Sequence, residues 1–112
     1  MSNHRSQIMY VEDKSAGLNG PAWIGRVVFS KSVASLTYRG RTFLRLGGRG
    51  FKANFFDVET GDHFWISGPR RDGKDRLYPQ SSMPVQIDGD VAEAYWTSIR
   101  QQPAPASRHA PA

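Results

Sequence analysis

Short runs in which apolar and other residues alternate, each closed by turn residues, constrain this chain most, because a period of two fits strands and not helices. Trp23 to Ser30 is the clearest: Trp23, Val27 and Phe29 share one face, and Ile24, Arg26 and Val28 share the other. Ala34 to Arg39 and Arg41 to Leu46 flank Gly40, which reads as a tight hairpin. Phe51 to Val58 and Asp62 to Ser67 flank Glu59-Thr60-Gly61, a second hairpin. Ile8 to Glu12 and Val85 to Asp88 supply short strands near the two ends. Gly17, Asn19, Gly20 and Pro21 make a loop of residues 14–22, and Gly47-Gly48-Arg49-Gly50 breaks the chain again. Residues 68–84 read as a long loop, and no internal repeat is present.

One segment changes period. Asp90 and Glu93 have capping-box spacing, and Val91, Ala94, Tyr95 and Ile99 then recur at helical intervals, with Ala92 and Trp96 widening the face. The spacing predicts a helix over residues 91–100, and about ten residues hold a helix only by docking on the sheet. The expected fold is therefore mostly β: a small antiparallel β-barrel or strongly curved sheet, SH3-like in size, with one C-terminal α-helix. Core candidates are Trp23, Val27, Phe29, Phe55, Phe64, Ile66, Tyr95, Trp96 and Ile99. A length of 112 residues suits one domain. Residues 1–6 are polar and residues 101–112 are Pro/Ala-rich, so both are expected as disordered tails around a domain at 7–100.

Composition excludes several classes. There is no cysteine, hence no disulfide, no thiolate nucleophile and no Cys-ligated zinc. No apolar run approaches membrane-helix length and none at the N-terminus suits a signal peptide, so a cytoplasmic protein without membrane partners is expected. The net charge of +5 is unevenly spread. Eight basic residues and no acidic one lie between Lys14 and Phe56, whereas Asp57 to Ser98 carries four basic and eight acidic residues. Such a basic stretch forms a surface for a polyanion or an acidic protein face, or else the acidic half folds against it and neutralises it.

Residue types that carry catalysis are thinly spread. His4 and His109 fall in the tails, which leaves His63 as the one histidine of the domain. No His/Asp/Glu spacing supplies the three or four ligands a metal needs, no Gly-x-Ser-x-Gly elbow occurs, and no phosphate-binding Gly-x4-Gly-Lys motif occurs. No cofactor and no catalytic residue is expected. Asp72/Asp75 and Asp88/Asp90 sit beside turn or cap signals, and the charged stretch from Gly68 to Arg76 reads as solvated surface.

The constellation that could bind something is basic and aromatic. Alternation puts Arg41, Phe43 and Arg45 on one face of their strand, and the hairpin adds Tyr38 beside them. With Arg26, Lys31, Arg39, Arg49 and Lys52 these form the candidate binding set. Rings beside guanidinium groups suit stacked bases and neutralised phosphates, or equally an acidic protein groove. Alternatively Tyr38 and Phe43 are core, with the arginine heads reaching water. Arg49 to Phe56 matches the RNA-recognition octamer at Arg49, Gly50, Phe51 and Phe56 but departs from it at Lys52, Ala53 and Asn54.

Several stretches taken together resemble a family of small bacterial proteins of unassigned activity. They are Tyr10-Val11-Glu12-Asp13-Lys14, Ile24-Gly25-Arg26-Val27, Phe29-Ser30-Lys31, Lys52-Ala53-Asn54-Phe55-Phe56-Asp57 and Glu59-Thr60-Gly61. Trp65-Ile66-Ser67-Gly68-Pro69, Asp75-Arg76-Leu77-Tyr78, Ile87-Asp88, Tyr95-Trp96 and Ile99-Arg100 continue the series, so the resemblance spans residues 8–100. Some members carry the label 1-deoxyxylulose-5-phosphate synthase, a large thiamine-diphosphate enzyme whose cofactor site a chain this short cannot build. The resemblance therefore implies a compact bacterial domain and supplies no mechanism. The expected function is a non-catalytic binding module with nucleic acid as first candidate ligand, an acidic protein partner as second, and an enzyme third.

Overall fold

The computed structural model describes residues 5–17, 19–32, 34–46, 53–76 and 84–102. Seven strands form, β1 (Arg5–Asp13), β2 (Ala22–Phe29), β3 (Ser35–Tyr38), β4 (Arg41–Arg45), β5 (Phe55–Asp57), β6 (His63–Ser67) and β7 (Val85–Ile87). The order β1-β6-β5-β4-β3-β2 closes through pairing of β2 with β1, giving a six-stranded antiparallel barrel. β7 lies outside that ring. Only Val28 and Phe29 of β2 pair with β3, so the start of β2 keeps a free edge, and Ala22 to Ile24 take β7 there in parallel.

Both expected hairpins form, and for the expected chemical reason. Arg39 (φ 53°) and Gly40 (φ 77°) are both left-handed, the two-residue turn whose twist matches the strands, and Tyr38 pairs Arg41 across it. Leu36 faces Phe43 in that register, so Leu36, Tyr38 and Phe43 all turn inward and are buried. In the second hairpin Gly61 (φ 79°) takes the left-handed position, while the Asp57 carboxylate accepts the Glu59 amide at 2.8 Å.

Two apolar clusters divide the molecule. Inside the barrel Val11, Val27, Phe29, Leu36, Phe43, Phe55, Phe64 and Ile66 pack together, with the Phe43 and Phe64 rings edge to face at 4.7 Å. Outside it, Tyr10, Ala22 and Ile24 on the outer face of β1 and β2 are covered by Val91 and Tyr95. Covering both faces explains why Tyr10 and Val11 are each fully buried although adjacent.

The covering element is the C-terminal helical segment, a 3₁₀ turn (Gly89–Val91), an α turn (Ala92–Ala94) and a π turn (Tyr95–Ile99) in succession. It ends where Gln101 turns left-handed (φ 56°) and the Gln102 amide reaches back to the Trp96 carbonyl at 2.8 Å. The expected capping box does not form: the capping residue is Asp88, and it makes no side-chain cap bond because its carboxylate is spent on the β3–β4 hairpin. Asp90 lies inside the first turn instead.

One boundary shifts. β1 begins at Arg5, so Arg5 and Ser6, expected in the tail, pair with Phe29 and Val28. Their side chains are exposed, so the strand there gains backbone hydrogen bonds and little apolar burial, which composition does not register. Residues 103–112 of the expected C-terminal tail lie outside the described residues. Among the described residues no helix is long and apolar enough to cross a membrane.

Candidate binding site at the mouth of the barrel

Closing the barrel distributes the candidate basic residues to different places. On β4 the inward row is Arg41, Phe43, Arg45, with Phe43 wholly buried at mid-barrel. The two arginines flanking it, about 13 Å apart along the strand at 3.3 Å per residue, therefore cap opposite ends. Arg45 lies over the Phe55 ring at 5.0 Å, and exposed Lys31 sits in the β2–β3 turn at that same end. Arg26 points off the outer wall of β2, 4.0 Å from Asp90. Arg49 and Lys52 lie outside the described residues.

Tyr38, Arg39, Arg41 and Phe43 do come together, at the mouth formed by the β3–β4 turn. With Trp23 and Phe64 they line a cavity of about 90 Å³. The Arg39 guanidinium lies 5.5 Å from the Trp23 ring centre, and that of Arg41 lies 4.9 Å from the Phe64 ring centre. Trp23 and Phe64 were legible as core residues but not as walls of a site, because nothing local places them beside the hairpin.

Each arginine is held by an aspartate from the acidic half. Arg39 Nη2 donates to Asp88 at 2.5 Å, and Arg41 Nε donates to Asp57 at 2.6 Å. The Tyr38 hydroxyl also donates to Asp88, at 2.6 Å. With Arg26 facing Asp90, at least three of the described basic residues between Lys14 and Phe56 meet carboxylates of the Asp57–Ser98 half. The acidic half thus neutralises part of the basic one. The Asp57 carboxyl is held below the usual carboxylate range, chiefly by the Glu59 amide and then by Arg41 and the Thr60 amide, against the opposing effect of burial.

Tyr38 and Phe43 are 6 % and 0 % exposed, so neither offers a free ring face to a base on the outer surface. What reaches solvent at the mouth is the pair of guanidinium heads, whose side chains are 52 % and 40 % exposed, whereas the side chains of Asp88 and Asp57 are only 14 % and 3 % exposed. The ion pairs are oriented, positive end outward.

A second charged cluster is internal. Glu12 and Lys14 are entirely shielded from solvent and pair at 2.9 Å. Glu12 also accepts from the Tyr10 hydroxyl at 2.6 Å, the Gly20 amide at 3.1 Å and Arg76 at 3.1 Å. Lys14, counted from sequence in the basic surface, is therefore core. The stretch Gly68–Arg76, expected as solvated surface, is exposed at Arg70, Arg71, Asp72 and Lys74 but ends in buried Asp75 and the mostly shielded Arg76 side chain. Shielding on all sides makes this cluster a structural tie. Exposed His63 on β6 joins neither cluster, and among the described residues no three His, Asp or Glu side chains gather as metal ligands.

Burial, then hydrogen bonding to Glu12 and to Asp88, pushes the Tyr10 and Tyr38 hydroxyls well above the ordinary tyrosine range. The folded state thus favours the protonated phenols, so this stabilisation is complete below the unfolded pKa and is lost as pH rises beyond it. Denaturant melts should be level up to about pH 9 and lose stability above about pH 10. A midpoint that stays constant to about pH 11.5 would contradict the burial of these hydroxyls.

Comparison of the chain with protein-family models, with curated proteins and with solved structures finds no match.

Proposed function

We propose that this protein is a non-catalytic binding module that holds an acidic segment of a partner protein at the barrel mouth, with an apolar side chain of the partner in the cavity. The observation that carries this reading is the pairing of an aromatic-walled cavity with two outward guanidinium groups at its rim. At about 90 Å³ the cavity is smaller than the roughly 150 Å³ space that encloses a benzene ring, so it suits a branched aliphatic or proline side chain better than a nucleobase. Dispersal of Arg26, Lys31 and Arg45 away from the mouth also leaves a phosphate backbone, among the described residues, two arginines to follow there.

Titration of isotope-labelled protein with acidic peptides that each carry one Val, Leu, Ile or Pro, followed by amide shifts, tests the proposal. Shifts should cluster at Trp23, residues 38–43 and Phe64, with Kd on the order of 1–100 μM. Single- and double-stranded oligonucleotides, run in parallel at about 50 and 200 mM salt, should bind more weakly than about 100 μM at the lower salt. Oligonucleotide binding tighter than that, with a log–log salt slope of about −2 or steeper, would replace the proposal with a nucleic-acid function. Absence of any peptide binding tighter than about 1 mM would end it.

A further inference from the structure

The two mouth arginines leave most of their donors unused. Arg39 engages Asp88 through Nη2 and also lies within reach of the Tyr38 hydroxyl, and Arg41 engages Asp57 through Nε. A guanidinium carries five N–H groups, so among the described residues each head retains several without an acceptor. Both heads lie close over the rings that wall the cavity, Arg41 4.9 Å from the centre of Phe64 and 5.7 Å from that of Phe43, and Arg39 5.4 Å from that of Tyr38. An anion hydrogen-bonded to them sits at the rim itself, directly above an apolar hole.

This geometry selects how far the ligand's negative charge is from its apolar group. A carboxylate on the same carbon as the aliphatic side chain reaches the rim when that side chain fills the cavity. A carboxylate on a neighbouring residue of an extended strand lies a further 3.3 Å or so along the chain, and successive side chains point to opposite faces. Resting on the function proposed above, we propose that the mouth recognises a free chain terminus: the α-carboxylate of a C-terminal Val, Leu or Ile bridged by Arg39 and Arg41, its side chain in the cavity of Trp23, Tyr38, Phe43 and Phe64. Asp57 and Asp88 oppose this little, because their carboxylates lie behind the guanidinium groups and Asp57 is further occupied by the Glu59 and Thr60 amides at 2.8 and 3.3 Å.

Four ligands decide it, all titrated against the intact chain by amide shifts: one acidic peptide ending in Leu, that peptide with a C-terminal amide, the same peptide extended by two glycines, and 4-methylpentanoate. The free-acid peptide should bind at the mouth, and amidation or extension should each weaken it at least tenfold. 4-Methylpentanoate should shift the same amides at millimolar concentration, which identifies the carboxylate and side chain as the recognised part. Arg41→Gln should reduce the difference between acid and amide to less than threefold while the melt stays cooperative. Equal affinity of acid, amide and extended peptides would overturn the terminus inference and leave the acidic-segment reading standing. If none of the three peptides binds, both fail. Binding of 4-methylpentanoate with no peptide binding would also overturn it, since the mouth would then take a small free acid.

Discussion

Glu12→Gln should cost this domain about 3–5 kcal/mol, although it changes one atom and no volume. Glu12 is the acceptor at the centre of a sealed cluster, receiving Lys14 at 2.9 Å, Arg76 at 3.1 Å, the Tyr10 hydroxyl at 2.6 Å and the Gly20 amide at 3.1 Å. Replacing the carboxylate by an amide removes the negative charge that Glu12 sets against buried Lys14 and Arg76, and the neutral amide oxygen is a weaker acceptor for them. Surface ion pairs are worth at most about 1 kcal/mol, so the burial of this one accounts for the size of the effect. A domain of this size has roughly 5–15 kcal/mol in total, so the variant should melt more than about 12 °C lower. Lys14→Met should be comparably harmful alone, and combined with Glu12→Gln the two losses should fall short of their sum by about 1–3 kcal/mol. A loss under about 1 kcal/mol for Glu12→Gln would show that water reaches the cluster.

That cluster also shows where sequence reading stops. Tyr10, Glu12 and Lys14 stand at every second position, yet Lys14 read as the start of a loop and as part of the basic surface. What completes the site is Gly20 and Arg76, brought there by a loop and by a segment 64 residues away from Glu12. Both hairpins were legible because Gly40 and Gly61 carry their turns locally, and so was the division of β2 into Val27 and Phe29 against Ile24. The helix was legible from its apolar spacing, yet its cap was misassigned. Asp88 and Asp90 look alike in sequence, and the choice between them is made by Tyr38, 50 residues away. The strand at Val85 to Asp88 was legible, and β7 forms at Val85–Ile87, but its parallel pairing was not, because that depends on how much of β2 the β3 strand leaves unpaired. For the candidate site, sequence supplied Tyr38, Arg39, Arg41 and Phe43 but not their separation from Arg45. Alternation places Arg41 and Arg45 on one face about 13 Å apart, and closure of the barrel makes those two positions its opposite ends.

Gly25→Ala is expected to damage both the stability of the domain and the shape of its mouth. Gly25 lies on β2 opposite Met9, where the strand passes beneath the contact between the β3–β4 hairpin and the helical segment. A Cβ at this position would stand 2.5 Å from the Asp88 carboxylate and 2.6 Å from the Tyr38 hydroxyl, closer than real Cβ atoms come to either. The hydroxyl and carboxylate cannot both move aside, because they bond to each other at 2.6 Å and Asp88 also holds Arg39 at 2.5 Å. The methyl group therefore separates Tyr38 from Asp88 or displaces β2, at about 1–3 kcal/mol for overpacking plus about 1 kcal/mol for the lost bond. Tyr38→Phe breaks the same bond without the clash and should cost about 1–2 kcal/mol. In combination the two should cost clearly less than their sum, since the bond can be lost only once. If the Arg39–Asp88 link fixes the rim, Gly25→Ala should also weaken binding of an acidic peptide ligand at the mouth more than its effect on the folded population accounts for. A Gly25→Ala melt within about 2 °C of the parent would mean that β2 and the hairpin are not packed as described, because about 2–4 kcal/mol in a domain of this size corresponds to at least about 8 °C.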